Sequence, residues 1–388
     1  MVTTPSTATQ AVSPARPTPI PVTIVTGFLG AGKTTLVNQL LRDPDFAETA
    51  VLINEFGDIQ IDHDLVADFS DDLIMTTTGC LCCTASSDIA QSLNDLLARM
   101  NDGEISQFKR VIVETTGLMD PIPVLVPFLA PPAYDPTSGP LRGQFALSRL
   151  ITLFDIVNGP KTLDNHEEAL RQVAVSDVLL LTKTDLALDP ATQRDIVEDR
   201  KRLSAINPGA RILDRHSDWQ EMRDLLLKNG SYDLRNKGED ALTWLSIEKT
   251  MVEEHDHSHH HAHDHGHGHG HHHHHHDHDH SDINRHGDDI RSHVIISDEP
   301  VSAVAFSFFL DTLKMIAGTD LLRLKGLVAL SDDPDRPVVV HGVQHLIHPT
   351  KRLSQWPSED RRTKIVVIGR DIDIEALRTV LMQLEASQ

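Results

Sequence analysis

Cysteine is nearly missing from this 388-residue chain: there are three, all within Cys80-Leu81-Cys82-Cys83. An odd number of thiols, two of them adjacent, excludes a disulfide framework. Basic residues are also scarce, 35 Lys and Arg against 57 Asp and Glu, for a formal net charge of -22. That balance argues against sequence-independent binding to nucleic acid or to an anionic membrane, and favours metal cations and basic partner surfaces. No continuous apolar run occurs in the first 19 residues, which are rich in Thr, Pro, Ser and Ala. They read as a disordered leader, with no signal peptide and no membrane span, and together with reduced thiols this predicts a cytoplasmic protein. The apolar fraction is 39%, somewhat low, yet the length suffices for two or three domains with a proper core.

Thiols this closely spaced are candidate soft-metal ligands. Cys80, Cys82 and Cys83 could supply three thiolates to a tetrahedral ion and leave a fourth position for an exchangeable ligand. A cluster of small, partly buried cysteines in a loop is the alternative, and the neighbouring motifs bear on the choice.

The β-branched run from Ile20 to Thr26 has strand character and ends in Gly27-Phe28-Leu29-Gly30-Ala31-Gly32-Lys33-Thr34-Thr35, followed by Leu36, Val37, Leu40 and Leu41 at helical spacing. This is G-x-x-x-x-G-K-[ST] in the strand-loop-helix setting that the motif requires. Glycines let backbone N–H groups approach phosphate oxygens, and the helix N-terminus adds partial positive charge. Lys33 is expected at the β- and γ-phosphates of a nucleoside triphosphate and Thr34 on Mg²⁺.

Further strands are expected at Ala50 to Asn54, Leu73 to Met75, Arg110 to Val113, Leu150 to Phe154, Val178 to Leu181 and Arg211 to Leu213, with helices from Ser86, from Ile196 and around Trp219 to Leu227. Arg110 to Val113 runs into Glu114-Thr115-Thr116-Gly117, where Glu114 would reach Mg²⁺ directly or through water and Gly117 joins the nucleotide contacts. Val178 to Leu181 runs into Thr182-Lys183-Thr184-Asp185, similar to the N-K-x-D guanine motif. A carboxylate at Asp185 can accept from both N1–H and the 2-amino group of guanine, which adenine cannot offer. Thr182 stands where asparagine is usual, losing an amide contact and keeping a hydroxyl. The alternation of strand and helix predicts an α/β P-loop fold with a mostly parallel sheet and right-handed crossovers. Every motif follows a strand, so all should line one edge of the sheet, the cysteines near the nucleotide and Glu55 and Asp58 on a neighbouring loop. A loop that orders with the γ-phosphate would then change a nearby metal site.

Gly27 to Thr35, Asn54-Glu55-Phe56-Gly57, Gly79 to Cys83, Glu114 to Gly117 and Thr182 to Asp185 together resemble the CobW-type family of P-loop GTPases, relatives of the nickel-chaperone GTPases of urease and hydrogenase maturation. The resemblance implies a metallochaperone that binds GTP and holds Zn²⁺ or a similar ion, Co²⁺ and Ni²⁺ included, at Cys80, Cys82 and Cys83. It suggests Glu55 as a further ligand and implies GTP-dependent transfer of the metal to a client metalloprotein. Asp58 is the candidate for orienting the attacking water. Cobalt or nickel insertion, as in corrinoid synthesis, is the alternative within the family.

Eighteen of the 25 histidines lie between His255 and His286, interleaved with Asp and Gly. Such a composition cannot bury a core and reads as a flexible linker whose imidazoles offer many weak, exchanging metal sites. A metal-buffering protein that sequesters ion in this segment is therefore a second functional class. The expected organisation is a leader at 1–19, a GTPase domain at 20–230, a His-rich linker at 231–291 and a small α+β domain at 292–388. In that last domain Val301 to Phe309 reads as strand and Leu310 to Ile316 as helix. Strands at Leu322 to Leu330, Val338 to Ile347 and Thr363 to Ile368 and a helix at Ile374 to Leu384 follow, helices on one face of an antiparallel sheet. His341, His345 and His348 fall unevenly on the two faces of a strand and read as polar or client-facing rather than as ligands.

Overall fold

The computed structural model describes residues 18–53, 74–77, 85–129, 141, 143–186, 190–227, 290–344, 346–347 and 350–383. The first part of the chain alternates strand and helix: β1 (Ile20–Gly27), α1 (Lys33–Leu41), β2 (Thr49–Ile53), β3 (Ile74–Thr77), α2 (Ala85–Asn101), β4 (Arg110–Glu114), α3 (Ile122–Leu129), β5 (Phe145–Asp155), α4 (Gly159–Asn165), α5 (Glu167–Val175), β6 (Val178–Thr182), α6 (Pro190–Ile206), β7 (Arg211–Asp214) and α7 (Trp219–Leu227). The seven strands pair in the order β3-β2-β4-β1-β5-β6-β7, every pair parallel.

Successive residues of these strands enter two different cores. Val22 and Ile24 of β1 and Leu52 of β2 pack with Leu93 of α2, Leu125 of α3 and Leu170 of α5. Val25, Val51 and Ile53 face the other way, onto Leu36 and Leu40 of α1 and Met222 and Leu225 of α7. A sheet covered on both faces accounts for strands that read as continuous apolar runs instead of alternating ones. Parallel strands also finish together, so Gly27, Ile53, Thr77, Glu114, Asp155, Thr182 and Asp214 end along one edge. No helix among the described residues is long and apolar enough to cross a membrane.

The second part comprises β8 (Ile290–Ser297), α8 (Ala303–Ala317), β9 (Leu321–Leu330), β10 (Asp333–Val343), β11 (Leu346–Ile347), β12 (Lys351–Arg352), β13 (Thr363–Arg370) and α9 (Ile374–Gln383). Its strands pair antiparallel in the order β11-β10-β9-β13-β8, with β12 on β10. Helices α8 and α9 cover one face, where Phe306, Phe309, Leu313, Leu377 and Leu381 meet Val328, Val340, Ile365 and Val367. Of the strand expected at Val301 to Phe309, only Val301 pairs, as an isolated bridge to Leu330, and Ala303 to Phe309 form the first half of α8. Its β-branched and aromatic residues imitate a strand locally, but Ser302 caps the helix by accepting the Ala305 N–H at 3.1 Å. The buried positions Ala305, Phe306, Phe309, Leu313 and Ala317 follow the helical period. The first strand of this sheet is Ile290–Ser297, which starts ahead of Ser292. His341 is buried in β10 opposite Lys325 and so does not face a client; His345 and His348 lie outside the described residues.

The other face of this sheet is covered by the first part of the chain. Leu322, Leu327, Val339, Val366 and Ile368 join the same core as Leu125 of α3 and Leu170 of α5. Within that contact the Arg323 guanidinium donates to the Val175 carbonyl and to Asp177, and Lys325 Nζ lies 3.1 Å from Asp177 Oδ1. Asp177 Oδ2 also accepts the Leu150 N–H at 2.8 Å. Burial alone would raise the Asp177 carboxyl, but Arg323 and Lys325 override it and hold it at about 2, against an ordinary 3.8. For Lys325, burial and the Arg323 charge outweigh the pull of Asp177 and bring the ammonium down to about 7. Because the folded carboxyl titrates below its unfolded value, the stability it contributes is complete above about pH 4 and is lost as pH falls towards 2. Removing one charge from a buried pair typically costs about 3–5 kcal/mol. Asp177→Asn is therefore expected to lower the unfolding free energy by about that amount in urea titrations at pH 7, with the difference from the parent shrinking as pH falls below 4. An equal midpoint for both proteins at pH 7 would exclude a stabilising role for the cluster.

Candidate functional site

At the end of β1 the backbone turns where no side chain fits. Gly27 has φ +139°, and a Cβ there would lie 2.6 Å from the Leu153 carbonyl oxygen of β5. Gly32, at φ +92°, caps α1 in the left-handed region. Lys33 opens the helix, is buried, and folds its ammonium back over the loop, donating to Gly27 O at 2.9 Å and Phe28 O at 3.2 Å. A cation, a glycine-rich turn and a helix N-terminus thus meet at one place, the combination that binds phosphate.

Neighbouring loops hold this turn in place. Thr34 Oγ1 donates to Oε1 of the buried Glu114 at 2.6 Å, joining the first turn of α1 to the end of β4. Beyond Glu114, Thr115 donates its N–H to Val25 O at 3.0 Å and its hydroxyl to Thr26 Oγ1 at 2.9 Å. Gly117 then lies directly against the phosphate loop: a Cβ on it would come within 2.5 Å of Leu29 N. The buried Thr182 hydroxyl donates to Ala31 O at 2.9 Å. Thr182 therefore fastens the loop after β6 to the phosphate loop, a role that its position in the guanine-like motif did not reveal.

Lys183, at φ +60°, reaches Asp155 at the end of β5, Nζ to Oδ2 2.6 Å. Burial works to raise the Asp155 carboxyl, but hydrogen bonds from Lys183, the Asn158 amide and the Val157 N–H hold it below the usual carboxylate range. Asp185 is exposed on the following 3-10 turn, with His216 Nε2 3.2 Å from its Oδ1. Arg215 passes the other side of the phosphate loop, Nη1 3.6 Å from where a Gly32 Cβ would be and Nη2 3.0 Å from Gln39 Oε1. Burial lowers the Arg215 guanidinium, opposed by the Asp185 charge.

Lys33, Thr34, Glu114, Gly117, Thr182, Lys183 and Asp185 are thus brought to one edge, as the motif order predicts, and Phe28, Leu29, Gly30, Ala31 and Thr35 complete the loop and first helical turn there. Glu55, Asp58, Cys80, Cys82, Cys83 and the His255 to His286 segment lie outside the described residues. Their described flanks, Ile53 of β2 and Thr77 of β3, end on this same edge. Among the described residues no group of three His, Cys, Asp or Glu side chains is placed to hold a metal ion. Arg215, His216 and Gln172 sit in no recognisable motif, so the sequence carries no signal for them. Asp155 carried a signal, an acidic residue closing a strand, but its partner Lys183 did not announce the pairing.

Comparison with known proteins agrees with this geometry. The family model described as the CobW/HypB/UreG nucleotide-binding domain matches residues 21–214, and that of the cobalamin synthesis protein cobW C-terminal domain matches residues 290–385. The zinc chaperone YjiA of Escherichia coli (strain K12) is 29% identical over 367 residues, covering 94% of this chain and 99% of its own length. The zinc chaperone CobW of Sinorhizobium sp is 30% identical over 398 residues, covering 94% and 97%. The crystal structure of Zn(II)-bound YjiA GTPase from E. coli has a TM-score of 0.65 at 25% identity, covering 94% of this chain and 99% of that one. The phosphate loop, the Glu114 and Thr182 loops packed against it and the second, antiparallel sheet all fall within these matches, and the chain belongs to the CobW/HypB/UreG family of P-loop GTPases.

Proposed function

We propose that this protein is a GTP-hydrolysing zinc chaperone. It takes zinc as cargo on Cys80, Cys82 and Cys83, with Glu55 as an acidic ligand, and passes it to a client metalloprotein in a step governed by GTP. A cytoplasmic setting suits its three reduced thiols. The observation that carries the GTPase reading is the meeting of Thr34 and Glu114, 80 residues apart in sequence and 2.6 Å apart in space, beside a buried lysine on a glycine turn. Both groups are hard oxygen donors, a set that fits Mg²⁺. When bound, that ion would neutralise charge on the β- and γ-phosphate oxygens.

Lys33 and the loop amides stabilise the charge that develops as the bond between the γ-phosphorus and its bridging oxygen breaks. Asp58 orients the water whose oxygen forms the new bond, leaving GDP and inorganic phosphate. Asp185 reads guanine, with Thr182 and the Lys183–Asp155 pair fixing its loop. The names carried by YjiA and CobW favour zinc over cobalt or nickel. A second reading, metal buffering with the nucleotide domain as regulator, rests on the eighteen histidines between His255 and His286.

Asp185→Asn is expected to lower the preference for GTP over ATP by about tenfold or more in competition binding, since a guanine donor loses its carboxylate partner. Unchanged discrimination would reject Asp185 as the base reader. In protein lacking residues 255–286, Cys82→Ser is expected to remove the bound zinc equivalent and the effect of zinc on GTP turnover. If neither stoichiometry nor turnover changes, the chaperone reading fails and buffering by the histidines stands.

A further inference from the structure

Helix α5 carries a buried amide that the phosphate-binding machinery does not explain. Gln172 is 1% exposed among Leu170, Val173 and Ala174, which are buried apolar residues. A primary amide in such a place needs its donors satisfied. Gln172 Nε2 donates to Gly117 O and to Met119 O, each at 3.1 Å. Both acceptors belong to the loop after Glu114, whose Gly117 is packed on Leu29 of the phosphate loop. The Gly117 peptide is therefore held between the nucleotide site on one side and Gln172 on the other.

The same helix grips this region elsewhere. Arg171 binds Asp120 Oδ2 at 2.6 Å, while Asp120 Oδ1 accepts the Ile122 N–H at the start of α3 at 2.9 Å. His166, just before α5, packs its ring 4.5 Å from that of Phe28 in the phosphate loop. The Gln172 carbonyl is itself anchored to the sheet, accepting the Thr152 hydroxyl at 2.9 Å and the Ser176 hydroxyl at 2.6 Å.

Both ends of α5 are in turn held by the C-terminal sheet. At its start Glu167 Oε1 accepts from Arg370 Nη2 of β13 and from Arg171 Nη2, each at 2.7 Å. Hydrogen bonds from Arg370 and then Arg171 keep this carboxyl below the usual range. At its end the Val175 carbonyl accepts from Arg323 of β9. An unbroken chain of ion pairs, Arg370 to Glu167 to Arg171 to Asp120, runs from the C-terminal sheet to the loop beside the nucleotide site. Such packed elements can carry coupling between distant sites when one of them has two arrangements.

We propose that Gln172 is a positioning residue for the nucleotide, setting the Gly117 peptide against the phosphate loop, and that α5 thereby ties that setting to the grip of the C-terminal sheet. This rests on the GTPase reading of the site. Gln172 touches no reacting atom; it acts through Gly117.

The test uses the full-length chain, with kcat and KM for GTP, dissociation constants for GDP and for a non-hydrolysable GTP analogue, and the melting temperature. Gln172→Met, similar in length but without a donor, is expected to lower kcat and analogue affinity by about tenfold while GDP affinity stays within about twofold. Arg370→Met, remote from the nucleotide, is expected to lower kcat by about threefold with the same split. Equal losses for GDP and analogue that track a lowered melting temperature would overturn the positioning role, as would unchanged kcat and analogue affinity in Gln172→Met. Wild-type kcat in Arg370→Met would overturn the link to the C-terminal sheet. A parent protein that neither binds nor hydrolyses GTP would refute the GTPase reading itself, a result distinct from an active parent with indifferent variants.

Discussion

A parallel sheet delivers all its strand ends to one side, and here that side closes around a turn with no room for a Cβ. Gly27 is pressed against the Leu153 carbonyl of β5, and Gly117 against Leu29. β1 lies between β4 and β5, the place where the strand order reverses direction and where such sheets take their ligands. Glu114 of β4 and Asp155 of β5 therefore flank the phosphate loop although they lie far along the chain. Thr34 meets Glu114, and Thr182 reaches across to Ala31, so the loop is fastened by the elements that would read the rest of the nucleotide.

The second sheet has a comparable constraint. Its own helices cover one face and the α/β part covers the other. A strand such as β9 is then buried along its whole length yet still contains Arg323 and Lys325. These charges are tolerable because Asp177 meets both across the contact, so that no charge of the cluster is left buried without a partner. The two parts of the chain thus share a core and a charge cluster, and helix α5 lies where that shared contact approaches the phosphate loop.

Much of this is legible in the sequence alone. The glycine turn with Lys33 and Thr34 implies strand, loop and helix by the chemistry of phosphate binding, and apolar runs ending in Glu114, Asp155 and Thr182 imply parallel strands with a common edge. What stayed hidden was set by contacts distant in sequence. Gln172 looks like any polar residue of a helix until its burial and its two carbonyl partners are known. Arg323 and Lys325 resemble a solvated pair until Asp177 appears beside them. Val301 to Phe309 misled because aromatic and β-branched residues suit a strand locally, whereas Ser302 and the apolar face buried under the sheet make a helix. Which side chains stand beside the cysteines was never in the local sequence, since that depends on how the ends after β2 and β3 are arranged.

If one edge serves both nucleotide and metal, what occupies the phosphate loop must alter the hold on zinc. The most direct measurement is zinc affinity in protein lacking residues 255–286, titrated against a competing chelator in GDP and in a non-hydrolysable GTP analogue. A difference of about tenfold or more between the two nucleotides is predicted, within the usual range of coupling between sites. Equal affinity in both, with one zinc still bound, would contradict it.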